Sequence, residues 1–160
     1  MRSARRHNST DRRQRGFALV EFAIAAPILL FLTFGSFEFS HYLLQYSRLN
    51  DAVNNGASWL ATQALQGSDG VLATGSAWST LVTQTQNMVV YGNAAGTGTP
   101  VLPSLTKGEV TVSEATSANT VTVSVAYPYI SLFGGAIPTF TGSSISTTYT
   151  LSITATMEAI

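Results

Sequence analysis

The order of apolar and polar residues divides the chain into zones that suit different solvents. Residues 1–16 are polar, residues 17–39 are almost continuously apolar, and residues 67–160 are rich in Ser, Thr and Gly. As a helix, the apolar run would measure about 35 Å, which is enough to cross the hydrocarbon layer of a bilayer. The pattern therefore predicts a transmembrane helix over residues 17–39.

The helical pattern continues past this predicted span. Apolar and small residues recur at three- and four-residue steps between Leu49 and Ala64, as they do on one face of an amphipathic helix. We therefore expect residues 40–66 to continue the transmembrane segment, so that one long helix covers 17–66.

Three residues should modify this long helix. Pro27 lacks an amide hydrogen and should kink the helix inside the transmembrane segment. Gly35 and Gly56 should either weaken the helix or allow a neighbouring helix to approach closely.

The remaining residues predict a small exported α+β domain over 67–160. After a loop at 67–70, a short helix is expected from Ser76, its N-cap, to Tyr91, and the glycine-rich stretch 92–98 is interpreted as a flexible connector. The apolar period then changes to two, which predicts three antiparallel strands covered by the amphipathic half of the long helix. The apolar positions are Trp78, Leu81, Val82, Met88 and Val89 in the short helix, and Val110 and Val112, then Val121, Val123, Val125 and Tyr127, then Ile145, Thr147, Tyr149, Leu151 and Ile153 in the strands.

Charge is distributed unevenly although the formal net charge is zero. Six arginines and one aspartate lie in residues 1–16, whereas the rest of the chain carries only Arg48 and Lys107 against seven acids. A basic leader beside an apolar run follows the positive-inside rule, which favours a membrane span over a buried core helix. We therefore expect a cytoplasmic leader and an exported C-terminal domain. Nucleic acid is not an expected partner of the acidic folded part.

Residues with catalytic chemistry are scarce. Cysteine is absent, which excludes thiol catalysis, disulfides and cysteine-ligated metals. His7 lies in the leader and His41 just past the apolar run, where neither can meet Ser and Asp partners in the exported domain, so a Ser-His-Asp hydrolase is excluded. We expect no enzyme, no catalytic residue, no cofactor and no metal site. The acids of the exported domain, which fit no metal-loop spacing, are Asp69, Glu109, Glu114 and Glu158.

Glu21 conflicts with its apolar surroundings. A carboxylate inside a membrane costs about 2.5–3.5 kcal/mol on insertion scales, so it needs a partner. If the leader were cut after Gly16, Phe17 would gain a free α-amine, and this amine on a neighbouring subunit could neutralise Glu21. Alternatively, Glu21 lies near the headgroups, where it is protonated or reaches the interface.

The residues around Glu21 resemble the processing motif of type IV prepilins and pseudopilins. A basic leader is followed by Gly16, four apolar residues, Glu21 and the aromatic Phe22. Further segments resemble TadE-like minor pseudopilins of the Tad (Flp) tight-adherence pilus, although Ser58 stands where such proteins often carry Arg. These segments are Ala26-Pro27-Ile-Leu-Leu, Phe34-Gly35, Glu38-Phe39, Asn54-Asn55-Gly56-Ala57 and Asn87-Met-Val-Val-Tyr-Gly92-Asn.

The resemblance implies a pilin-like fold and a precursor in the bacterial inner membrane, with a cytoplasmic N-terminus and a periplasmic C-terminal domain. A prepilin peptidase would cut between Gly16 and Phe17, and Glu21 would pair with the mature N-terminus of a neighbouring subunit during assembly. Implied partners are that peptidase, other pilin or pseudopilin subunits, the inner-membrane assembly platform and the lipid bilayer. Because major Flp pilins are much shorter, the resemblance implies a minor component that initiates, primes or caps an adherence pilus.

Two other function classes stay open from the sequence. The first is a signal-anchored envelope module for binding or adhesion that keeps its leader and never polymerises. The second is a small envelope enzyme, which would need a cleft with convergent acids. Processing at Gly16 distinguishes the pseudopilin from the anchored module.

Overall fold

A computed structural model of the protein describes residues 9–66, 70–115, 118–139 and 142–160, with side chains from Gly16 onward except those of Gln66, Ala115 and Pro138. The first helix, α1, runs without interruption from Ser9 to Gln63 and includes Pro27. His7, Asp69 and the side chains of the leader arginines lie outside the described residues.

The end of α1 differs from the prediction of a helix through residue 66. Leu65–Gln66 form a short strand, β1, which pairs antiparallel with β2, Val71–Leu72. The Ala73 amide also donates to the Ala64 carbonyl over 2.7 Å. These bonds to a later segment replace the last helical turn, which a local apolar period cannot anticipate.

Burial changes sharply along α1. Most residues of its N-terminal half, from Phe17 to Phe37, are exposed, whereas its C-terminal half buries one stripe against the rest of the domain. The prediction of an amphipathic continuation that covers the sheet is confirmed. The buried stripe consists of Leu49, Ala52, Val53, Ala57, Leu60, Ala61 and Ala64.

The second helix, α2, spans Gly75–Tyr91 and packs against α1. The predicted N-cap, Ser76, is wrong: Thr74 holds the cap position in an extended conformation, and Ser76 lies inside the first turn. The helices meet closely at Gly56, where an added Cβ would lie 2.5 Å from Cγ2 of Val89. The expectation that Gly56 admits a neighbouring helix is therefore confirmed.

Three antiparallel strands form the main sheet, as predicted. A short 3₁₀ turn at Lys107–Glu109 leads into β3, Val110–Ala115, and the central strand is β4, Thr120–Pro128. The third strand is β7, Thr150–Glu158, which pairs with β4 from Thr120↔Glu158 to Pro128↔Thr150. Alternate residues of β4 and β7 face α1, with Val121, Val123, Val125, Tyr127, Leu151 and Ile153 all buried.

The third strand begins later than the alternation from Ile145 predicts. Ile145 belongs to a separate hairpin in which β6, Ser144–Ser146, pairs with β5, Ala136–Pro138. Residues 147–149 connect this hairpin to β7, and the Thr147 amide donates to the Gly135 carbonyl. The alternation that begins at Ile145 therefore covers parts of two separate strand pairs, β5–β6 and β4–β7.

The glycine-rich stretch after α2 follows a path set by two asparagines. The Asn93 side chain donates to the carbonyls of Tyr91 and Thr97 and accepts the Thr97 amide. The buried Asn87 donates to the Ala94 carbonyl over 2.8 Å. The structure thus shows a hydrogen-bonded loop where the sequence predicts a flexible connector.

Candidate functional site

The residues predicted to act in processing and assembly share the free half of α1. Gly16, Phe17, Glu21 and Phe22 are exposed, and the exposed fraction of Phe17 reaches 74%. Pro27 lies farther along the same helix and is partly buried. Most large apolar side chains of this half are exposed, and contact with the α+β domain begins near Phe34, whose ring packs against that of Phe133.

Glu21 has no ion-pair partner among the described side chains. The described cations, Arg48 and Lys107, belong to later elements, and the nearest large neighbours on the helix surface are exposed apolar residues. Within one described chain, nothing offsets the cost of placing this carboxylate in apolar surroundings.

The second carboxylate of the apolar region, Glu38, has an entirely different environment. It is only 6% exposed, and the Tyr129 hydroxyl donates to its Oε1 over 2.8 Å. The Leu132 amide donates to Oε2 over 3.1 Å. Both carboxylate oxygens thus accept hydrogen bonds from the segment that follows β4. These bonds join the end of the apolar run to the α+β domain.

Gln45, on the same face of α1 as Glu38, makes further contacts with the segment that follows β4. The Gln45 side chain donates to the Ile130 carbonyl over 2.9 Å and accepts the Ile130 amide over 3.4 Å. We name these contacts of Glu38 and Gln45 with residues 129–132 the helix anchor. Because the Gln45 side-chain amide pairs with both the N–H and the C=O of Ile130, it holds the segment after β4 in a single register beside α1.

Aromatic rings close the anchor against solvent. Tyr42 meets Tyr129 edge to face with ring centroids 5.5 Å apart, and the His41 ring lies 6.1 Å from the Tyr129 ring. Nδ1 of His41 is 3.5 Å from the Tyr129 hydroxyl. His41 therefore contacts the α+β domain, although through a tyrosine and not through Ser and Asp.

The electrostatics of the anchor keep Tyr129 protonated. Burial raises the pKa of the Tyr129 phenol far above its ordinary value, and the hydrogen bond to Glu38 and the negative charge of that carboxylate raise it further. Tyr129 therefore remains a hydrogen-bond donor to Glu38 at every physiological pH.

The sequence by itself does not predict that Glu38, Gln45 and Tyr129 form a site. The available signal was spacing: Glu38, His41 and Gln45 stand three and four residues apart and so share one face of an otherwise apolar helix. Nothing local points to Tyr129 as their partner, because it lies 91 residues from Glu38.

A groove of about 490 Å³ opens beside the anchor. Gly35 and Phe39 form its helix wall, and Ile137, Ile145 and Tyr149 form the opposite wall. Its lining is mainly apolar, with Glu38 at its base already engaged by Tyr129 and Leu132.

The acids of the α+β domain do not form a metal cluster among the described residues. Glu109 has a local structural role, since its carboxylate accepts the Thr106 amide in a capping box over 2.8 Å. Glu114 and Glu158 stand on β3 and β7 respectively.

The length and composition of α1 fit a membrane-spanning helix, and a family comparison matches the same part of the chain. Of the described helices, one segment, Gly16–Gln63, is long and apolar enough to cross a membrane, and its most apolar stretch is not buried against the rest of the protein. No curated protein matches the chain, and no solved structure matches it. Residues 16–58 match the family model of TadE-like proteins, so the resemblance seen in the N-terminal motif is confirmed over this segment and is consistent with a TadE-like protein of the Tad pilus system.

Proposed function

We propose that this chain is a minor pseudopilin that initiates, primes or caps a Tad-type adherence pilus. In this proposal a prepilin peptidase removes residues 1–16 on the cytoplasmic side of the bacterial inner membrane. The mature chain begins at Phe17, spans the membrane once and holds its α+β domain in the periplasm. Its partners are other pilin or pseudopilin subunits and the membrane assembly platform.

The main support for this proposal is that the family match begins at the predicted cleavage site, five residues before a carboxylate that needs a cation. The TadE-like match begins at Gly16, the residue before the predicted cut, and Glu21 follows five positions later without a partner among the described side chains. A cut at Gly16 would create an α-amine on Phe17. That amine on a neighbouring subunit supplies the cation that Glu21 lacks among the described side chains of its own chain.

The shape of the molecule suits subunit packing. From Phe17 to Phe37 the helix presents large apolar side chains on all sides, which is typical of a helix surrounded by lipid or by other helices. Transfer from bilayer to fibre would exchange lipid contacts for helix contacts, and the Glu21 pairing would favour one stagger between subunits.

A structural role without catalysis is part of the proposal. The best-defined polar cluster, the helix anchor, has both Glu38 oxygens occupied by donors from the same chain. Its groups stabilise the attachment of helix to domain and present no free nucleophile or base.

The proposal is tested by the N-terminal residue and intact mass of the membrane-extracted protein. The protein is expressed with and without a prepilin peptidase, as wild type and as Gly16→Ala. Gly35→Ala is the matched control, because an added Cβ at either glycine meets no atom within 4 Å. We expect a chain beginning at Phe17 only with peptidase present and Gly16 intact, and we expect Gly35→Ala to be cut normally.

The opposite result identifies the competing function. A chain that retains residues 1–16 under all conditions would refute processing and leave Glu21 without its proposed partner. The signal-anchored envelope module would then be the better description.

A further inference from the structure

The segment between β4 and β7 exposes apolar side chains next to the C-terminal end of the apolar run in α1. We name the exposed group Ile130, Leu132, Phe133, Ile145 and Tyr149 the exit patch; each has between 37% and 55% of its surface exposed. Two of these residues, Ile145 and Tyr149, face Gly35 and Phe39 across the groove described above.

Direct contact fixes the height of this patch along α1. The rings of Phe133 and Phe34 pack with centroids 5.4 Å apart, and the next residue before Phe133, Leu132, is bonded through its amide to Glu38. The exit patch is therefore continuous with the last turns of the apolar run and not displaced toward the far end of the domain.

Phe34 lies inside the hydrocarbon layer for either placement of the span. A helix rises about 1.5 Å per residue, so a hydrocarbon layer of about 30 Å takes up about 20 residues. A span that begins at Phe17 ends near residue 37, and one that begins at Glu21 ends near residue 41. Phe133, which contacts Phe34, consequently lies at the boundary of the hydrocarbon layer in both cases.

The amino-acid composition around the exit patch suits a position at the boundary of the hydrocarbon layer. Residues 115–157 contain no Asp, Glu, Lys or Arg, and the exposed side chains of the patch are aliphatic or aromatic. Aromatic and aliphatic groups favour the interface between headgroups and acyl chains, whereas a periplasm-facing surface ordinarily carries charge. Glu38 is accommodated at the same height because both its oxygens accept hydrogen bonds.

We propose that the exit patch is a second membrane contact, which inserts Leu132 and Phe133 into the outer boundary of the bilayer that α1 spans. This inference rests on the proposed membrane topology. The contact would hold the exported domain against the bilayer in one orientation before assembly, and extraction of the subunit would have to release it.

Spin labels at single cysteines measure this contact in the full-length chain reconstituted in nanodiscs. The natural chain has no cysteine, so each label reports one position. Leu132→Cys tests the patch, Leu30→Cys tests the span, and Val71→Cys tests the opposite end of the domain. These three side chains are matched in exposure, at 55%, 54% and 54% respectively.

Collision with oxygen, which concentrates in lipid, is compared with collision with a soluble nickel chelate. We expect the oxygen-to-nickel ratio at Leu132→Cys to be several-fold higher than at Val71→Cys, and the ratio at Leu30→Cys to be higher still. Phe133→Cys should reproduce the Leu132→Cys result, which guards against a local effect of one label.

The other outcomes separate the inference from the topology. A lipid-like ratio at Leu30→Cys with a water-like ratio at Leu132→Cys and Phe133→Cys would overturn the patch contact and leave the span intact. Low collision with both reagents at the patch would mean that protein, such as a second copy, covers it, and this also overturns the proposal. A water-like ratio at Leu30→Cys would refute the membrane span itself.

Discussion

Replacing Gly56 by alanine tests how closely the two helices must approach. The new Cβ would lie 2.5 Å from Cγ2 of Val89, whereas carbon atoms in contact normally stand about 3.5–4.0 Å apart. Val89 is 0% exposed and, as a β-branched residue in a helix, has essentially one rotamer. The clash of about 1 Å can therefore be relieved only by separating α1 from α2.

Two opposing effects determine how much Gly56→Ala should change the free energy of unfolding. Overpacking a buried site costs about 1–3 kcal/mol, and exchanging glycine for alanine inside a helix returns about 1 kcal/mol. We expect Gly56→Ala to lower the free energy of unfolding by about 1 kcal/mol. The measurement is urea unfolding of the detergent-solubilised protein, followed by the fluorescence of Trp59 and Trp78, which pack against the core.

A double-mutant cycle of Gly56→Ala and Val89→Ala tests whether these two positions are in close contact. Val89→Ala alone should be destabilising because it leaves a cavity, but in the Gly56→Ala background the new methyl fills part of that cavity. The double variant should therefore be more stable than the sum of the single changes by about 1 kcal/mol or more. Simple additivity, or a Gly56→Ala protein at least as stable as wild type, would contradict the close approach of α1 and α2.

Three further predictions concern Glu21 and the helix anchor. Glu21→Ala should leave leader cleavage unchanged by intact mass but abolish incorporation into sheared pili; a variant that still assembles would refute the proposed pairing. Tyr129→Phe removes the donor to buried Glu38 and should lower the free energy of unfolding by about 1–3 kcal/mol, whereas Tyr149→Phe, which removes an exposed hydroxyl, should change it by less than about 0.5 kcal/mol. The pKa of Tyr129 is raised in the folded protein from 10.0, so the folded state binds its proton more tightly. The stability that Tyr129 contributes is therefore fully present below about pH 10 and is lost as the pH rises further. Urea midpoints between pH 8 and 11 should show a steeper alkaline loss for wild type than for Tyr129→Phe; equal slopes would contradict the pKa shift.

The helix anchor bears directly on the proposed function. In a subunit that must move from bilayer to fibre, the orientation of domain relative to helix decides which surfaces neighbours meet. Glu38 and Gln45 hold that orientation through four hydrogen bonds to residues 129–132, and the Tyr42 and Tyr129 rings shield them. The apolar helix and the α+β domain should therefore move as one unit and not about a hinge between them.

Several features of this protein were readable from the sequence because their causes are local. The apolar run over 17–39 and the stripe from Leu49 to Ala64 predict a helix with an exposed half and a buried half, and both halves are found. The period of two in β3 and β4 likewise predicts paired strands with one buried face. The Gly16-to-Phe22 motif was recognisable for the same reason, since it depends on residues adjacent in the chain.

Other features depend on contacts between distant segments, and only the tertiary structure determines them. Alternation at Ile145 looks like the start of β7, but the Gly135 carbonyl binds the Thr147 amide and assigns Ile145 to another hairpin. The final turn of α1 gives way to β1 because Leu65 finds a partner in Leu72. Glu38 reads from the sequence as the polar end of an apolar run, whereas Tyr129 and Leu132, more than 90 residues away, turn it into a buried anchor. Local periodicity indicates which side chains share a face, but the hydrogen bonds that satisfy a buried carboxylate depend on which distant backbone folds against that face.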